Sequence, residues 1–174
     1  SVSARTAGFY SVNLSNIKDS TSLLLIGLMF IGGSPGSTAG GIKTTTFGVL
    51  VLATYSIIKR QKEPVVFNKH IGDETIKKAL SIFMISLAIV LMVTFAITIT
   101  DDFTLVDTLY EVVSALATVG ASRGITASLS KIAKILIGLC MYLGRIGPMT
   151  MALAFGLKPD EKLIRYPECF ISIG

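Results

Sequence analysis

Residues 79–99 form an unbroken run of apolar and hydroxyl side chains without a single charge. A helix of that length rises about 31 Å, enough to cross the hydrocarbon core of a bilayer. A second apolar run, 134–157, carries Arg145 in its interior, followed by Gly147 and Pro148. Residues 20–58 are apolar at both ends and interrupted in the middle: 23–31 and 47–58 are greasy, whereas 32–46 is rich in Gly, Ser and Thr. The whole stretch is too long for one ordinary span and each flank alone is too short. That pattern predicts a discontinuous membrane helix. Irregular backbone survives at membrane depth only where it lines a cavity or packs against protein. A shorter helix is predicted over 105–116, with Asp107 and Glu111 one turn apart. At about 18 Å it reaches halfway across a bilayer. With Ala117-Thr118-Val119-Gly120-Ala121-Ser122 behind it, it reads as a re-entrant pore helix and filter, the plainer alternative being any tight turn.

Composition supports the membrane reading. Of 174 residues 51% are hydrophobic and 16% charged, whereas soluble domains carry about a quarter charged residues. The net charge of +5 does not imply nucleic-acid binding, because the basic residues cluster beside apolar spans. Lys59, Arg60, Lys62, Lys69, Lys77 and Lys78 share one segment, and Lys158, Lys162 and Arg165 share the tail. The positive-inside rule puts both in the cytoplasm and Asp101 and Asp102 outside. The lone His70 is expected to be solvated. Cys140 and Cys169 suggest neither a metal site nor a disulfide framework. The chain has no N-terminal Met and no signal peptide, and it is expected to be a fragment lacking its N-terminal part. The expected divisions are 1–58, a filter and broken second helix; 59–78, a cytoplasmic basic loop; 79–157, a complete pore repeat; and 158–174, a cytoplasmic tail.

One ungapped offset of 112 positions overlays the chain on itself. Thr6 falls on Thr118, Gly8 on Gly120, Leu24 on Leu136, Met29 on Met141 and Gly32 on Gly144. The repeating unit is half-helix, filter, spanning helix. The expected architecture is therefore an all-α integral membrane protein, with helix–pore-helix–filter–helix repeats around a pseudo-symmetric pore.

A filter replaces a cation's hydration shell with backbone carbonyl oxygens. Thr118 and Val119 are β-branched and suit extended geometry. Gly120 permits the backbone angles that turn a carbonyl inward, and the preceding helix aims the negative end of its dipole at the cation. Thr6, Ala7 and Gly8 make the equivalent turn of the earlier unit. Asp107 and Glu111 either concentrate cations at the outer mouth or pair with Arg5 or Arg123 behind the filters; the sequence does not choose. Lys43 and Arg145 are charges at membrane depth, costing about 2.5–3.5 kcal/mol each on insertion scales. Arg145 reads either as a structural ion pair or as a cationic barrier below the filter. A phosphate-binding loop at 36–44 is disfavoured, because Ile42 separates Gly41 from Lys43-Thr44 and no strand precedes it. No nucleophile–base pair or paired carboxylates point to an enzyme.

Ser-Ala-Arg-Thr-Ala-Gly-Phe at 3–9, Gly-Gly-Ser-Pro-Gly-Ser-Thr-Ala-Gly-Gly-Ile-Lys-Thr-Thr-Thr at 32–46 and Tyr-Leu-Gly-Arg-Ile-Gly-Pro-Met-Thr at 142–150 closely resemble the Ktr/Trk/HKT potassium-transporter superfamily. Within that superfamily the chain looks most like the membrane subunit of bacterial Ktr-type systems. The resemblance extends to Tyr166-Pro167 and Ile173-Gly174. It implies four repeats in one chain, with Gly8 and Gly120 as the key glycines of the third and fourth filters. Four filter glycines go with potassium preference, and serine in the first goes with sodium permeation. It also implies that 32–46 is an intramembrane gating loop, with Gly33, Gly36, Gly40 and Gly41 as its joints and Lys43 and Arg145 beside it. The resemblance further implies potassium as the transported ion, sodium as a candidate coupling or activating ion, and no cofactor in this chain. The implied partners are a second copy of the subunit and a cytosolic nucleotide-binding regulatory ring, at the plasma membrane. The alternative is a secondary transporter of a small organic solute, with the broken helix as its binding site.

Overall fold

The computed structural model describes residues 8, 14, 17–35, 40–59, 65, 66 and 69–147. Five helices lie among them: α1 (Asp19–Phe30), α2 (Thr44–Ile58), α3 (Asp73–Thr100), α4 (Leu105–Leu116) and α5 (Lys131–Ile146). A small antiparallel ribbon joins β1 (Val65–Val66) to β2 (Lys69–His70), pairing Val65 with His70 and Val66 with Lys69. Among the described residues the all-α expectation therefore holds, with this four-residue ribbon as a local exception where two β-branched valines in sequence favour extended backbone.

The broken helix is present as α1 and α2, separated by 31–43. The long span begins earlier than the apolar run suggests. Gly72 precedes its first turn, Asp73 and Glu74 sit at the positive end of its dipole, and Lys78 pairs with Glu74 one turn on at 3.6 Å. Six residues of the expected basic loop are thus helical. Inside α3 Ser81, Ser86 and Thr98 each donate to the carbonyl four residues back, at 2.8–2.9 Å, whereas the buried Thr94 hydroxyl has no hydrogen-bond partner among the described residues. Among the described residues α3 is the helix long and apolar enough to cross a membrane, and 22% of its most apolar stretch is buried. A soluble core helix would bury most of that surface. Here Met92, Phe95 and Ile99 are about 70% exposed, a face suited to lipid or further protein.

Helix α4 sits at the centre. It packs on α1, α3 and α5, while α2 leans on α3. Its N-terminus is fixed by Thr104, whose hydroxyl accepts the Asp107 N–H and donates to the Asp107 carboxylate at 2.6 Å. From Tyr110 to Leu116 every residue is buried, Glu111 and Ser114 included. Helix α5 starts at an equivalent cap, with Ser130 accepting the Ala133 N–H. It buries Ala133, Ile137, Cys140 and Gly144, a single stripe of small and medium residues that lets it approach α4 closely. It ends at Ile146, where Gly147 takes φ 88°. The expected span 134–157 is therefore helical from Lys131 to Ile146, and beyond Gly147 it lies outside the described residues.

Candidate functional site

The end of α4 organises the site. Ala117 closes the helix, the Thr118 N–H returns to the Ala115 carbonyl at 3.1 Å, and the Val119 N–H returns to the Ser114 carbonyl at 3.0 Å. This pair of bonds is a Schellman motif, which needs a left-handed residue just past the cap. Glycine usually fills that place; here Thr118 does, at φ 55°. A β-branched residue there costs about 1–2 kcal/mol. The expectation of an extended Thr118 is corrected: capping a buried helix end outweighs the β-branched preference. Gly120 follows at φ 79°, with open space where a Cβ would lie.

The glycine-rich segment returns beneath this turn. The Gly32 N–H donates to the Ile42 carbonyl at 2.8 Å and the Thr44 N–H to the Gly33 carbonyl at 3.1 Å, closing the segment on itself. Gly40 then meets the end of α4: its N–H lies 3.2 Å from the Ala117 carbonyl and 2.9 Å from the Thr118 hydroxyl. The strained threonine thus accepts a bond from the segment below it. A Cβ at Gly40 would lie 2.8 Å from the Thr118 side chain and 3.0 Å from the Gly144 carbonyl. Gly41, at φ 69°, would bring one 3.3 Å from Ala117 Cα. These contacts require glycine. Gly33 is buried, and Lys43 is half-buried where α2 begins, so its charge adds to the positive end of that helix dipole. Arg145 is exposed in the last turn of α5, one residue past the Gly144 carbonyl that Gly40 approaches.

Gly8 lies on the other side of the turn. It has φ 58°, and a Cβ on it would stand 2.2 Å from the Val119 carbonyl oxygen. Gly8 therefore abuts the 118–120 turn, to which the 112-residue offset relates it, and helices α1 and α5 begin 112 residues apart. Behind the turns lies a polar cluster. Arg123 bridges Asp107 at 2.8 Å and Asp19 at 3.2 Å, and Glu111 accepts the hydroxyls of Ser122, at 2.7 Å, and Thr126. Asp107 thus pairs with Arg123, as one of its two expected roles requires, whereas Glu111 is held by hydroxyls rather than by an arginine among the described residues.

Of the expected site residues, the structure brings together Gly8, Thr118, Val119, Gly120, Gly40 and Gly41. Thr6, Ala7, Gly36, Arg5 and the tail 158–174 lie outside the described residues.

Over residues 1–166 the chain matches the TrkH family of cation transport proteins. It belongs to that family. TrkH relatives cover the chain end to end. It is 39% identical over 174 residues to the Ktr system potassium uptake protein B of Vibrio alginolyticus, which covers all of this chain and 38% of that protein. It is 37% identical to the Ktr system potassium uptake protein D of Bacillus subtilis, over all of this chain and 39% of the relative. It is 34% identical to the potassium/sodium uptake protein NtpJ of Enterococcus hirae, over all of this chain and 40% of the relative. The chain spans about two-fifths of the length of these TrkH relatives.

Sequence reasoning missed two parts of this TrkH site. Gly144 enters it only as the repeat partner of Gly32, yet a Cβ there would fall 1.9 Å from the Leu116 carbonyl oxygen. Its place in the small-residue stripe 133, 137, 140, 144 is the signal that could have found it. The role of Thr118 as a helix cap left no signal, because threonine is unusual in that position.

Proposed function

We propose that the full-length protein carries potassium into the cell through a narrow path lined by backbone carbonyls, with 118–120 and the turn at Gly8 as two of its filters and 32–46 as its gate. The observation that carries this reading is the contact of one positive-φ glycine, Gly8, with the turn holding another, Gly120, at the C-terminal end of a buried half-length helix. A helix C-terminus bears partial negative charge, and carbonyls turned inward by such glycines suit a dehydrated cation. The names of the relatives add potassium, and in one case sodium, as the ions such chains take up. Gly40 and Gly41 seat the segment below the filter, where a loop of small residues folds into a crowded vestibule and blocks it. Lys43 and Arg145 flank that segment and raise the barrier to a cation until the loop moves. The basic segment 59–78 and the tail 158–174 face the cytoplasm. They offer the docking surface for a nucleotide-binding regulatory ring, and the subunit works as a homodimer in the plasma membrane.

The test is potassium and sodium uptake in cells lacking their own potassium uptake, comparing full-length protein with Gly120→Ser. At φ 79° a serine is strained by about 1–2 kcal/mol and projects into the open space beside the turn. The expected result is a fall in potassium uptake or in its preference over sodium, at unchanged membrane expression. Unchanged uptake and selectivity would remove Gly120 from the ion path.

A further inference from the structure

Arg123 lies three residues past Gly120 and is not part of the carbonyl path. Its side chain is 10% exposed, although it belongs to the loop between α4 and α5. Nη1 sits 2.8 Å from Asp107 Oδ1 and 3.2 Å from Asp19 Oδ1, and Nη2 donates to the Ile17 carbonyl at 3.2 Å. Nε has no hydrogen-bond partner among the described residues, so the terminal nitrogens alone hold the group. The three anchors come from different places. Asp107 is in the first turn of α4, whereas Ile17 and Asp19 lie in the segment that leads from Gly8 into α1.

One guanidinium therefore ties the backbone that leaves one glycine turn to the backbone that leaves the other. Among the described residues, what joins the two sides at the turn itself is close contact, Gly8 against the Val119 carbonyl. Contact resists approach and does nothing against separation. The charged tie supplies the opposite restraint: Nη1 meets both carboxylates while Nη2 holds the Ile17 carbonyl, so one rigid planar group spans all three anchors. Glu111 supports the same loop from α4 through Ser122 and Thr126. Each carbonyl of a filter must stay at the distance that suits one cation, so a restraint on the separation of two filter turns acts on selectivity.

We propose that Arg123 is a positioning residue for ion selectivity, acting through Asp107 and Asp19 to fix the spacing of the two glycine turns; this rests on their assignment above as filters. The experiment uses full-length protein and reads the ratio of potassium to sodium uptake, which mere loss of folded protein does not move. Arg123→Gln, Arg123→Lys, Asp107→Asn and the double variant Arg123→Gln/Asp107→Asn are compared with Gly120→Ser. Coupling within a charge network shifts an equilibrium by about twofold to a hundredfold, and about fivefold suits this partly exposed network. The ratio is expected to fall by about that factor in Asp107→Asn, less in Arg123→Lys, and no further in the double variant than in Arg123→Gln. If Arg123→Gln does not reach the membrane, Asp107→Asn decides. A wild-type ratio in Asp107→Asn, or losses that multiply in the double variant, would overturn the proposal. A normal ratio in Gly120→Ser as well would instead bring down the filter assignment. A lowered ratio in Gly120→Ser alone would leave that assignment intact and remove Arg123 from it.

Discussion

Replacing Gly144 by alanine adds one carbon where α5 crosses the end of α4. That carbon would stand 1.9 Å from the Leu116 carbonyl oxygen, 2.7 Å from its carbonyl carbon and 3.1 Å from its Cα. All three are backbone atoms, so no rotamer change relieves the contact. A carbon and a carbonyl oxygen rest about 3.3–3.6 Å apart, so the helices must part by about 1.5 Å. Overpacking of this kind costs about 1–3 kcal/mol when side chains yield, and a backbone obstacle places Gly144→Ala at the upper end or above. The same helix contains its own control. Gly138 has nothing within 4 Å of a built Cβ, and alanine in a helix interior is favoured over glycine by about 1 kcal/mol. Both variants should be made in the full-length protein, purified in detergent and melted with a size-exclusion readout. Potassium uptake should be measured in the same strains. Gly138→Ala is expected to melt at or above the parent and to transport normally. Gly144→Ala is expected to melt clearly lower and to lose uptake, since the Gly144 carbonyl also borders Gly40. Equal melting and equal uptake for the two would mean that α5 does not pass this close to α4.

The Thr118 hydroxyl offers a subtler test. Thr118→Val keeps the shape and removes the acceptor for the Gly40 N–H, which retains the Ala117 carbonyl. The loss is about 1 kcal/mol, or roughly fivefold in the balance between a seated and a released segment. Initial uptake rates are expected to change by up to that factor in Thr118→Val and to stay near the parent in Thr118→Ser. On the surface, Lys78→Ala removes an exposed one-turn ion pair with Glu74 and should change the melting midpoint by an amount equivalent to less than about 0.5 kcal/mol.

The half-length helix was legible in the sequence because its limits are local: Thr104 and Asp107 mark the start, and Ala117 to Gly120 cannot continue it. The interruption between α1 and α2 was legible for the same reason, since glycine, proline and hydroxyl residues crowd into 32–41. The start of α3 was not. Charge counts assign Asp73 to Lys78 to the loop, whereas acidic residues at a helix N-terminus and a one-turn ion pair are equally good reasons to be helical. The site divides in the same way. Gly8 and Gly120 could be paired through the repeat, because glycine at a turn is a local demand. That Gly40 reaches Thr118 across 78 positions, and that Arg123 reaches back to Asp19, are facts of packing that no spacing along the chain encodes.

The length of α3 has a consequence for the membrane around it. From Ala79 to Thr100 it is apolar for about 33 Å, slightly more than an average hydrocarbon core of about 30 Å. The excess is taken up by leaning or by a local thickening of the lipid, each costing fractions of a kcal/mol per Å. Because α3 lies along α4, any change in its lean is carried to the helix whose end holds the 118–120 turn. If that turn is the filter proposed above, lipids with longer or shorter tails would push on it from outside, through a helix that does not itself form the turn.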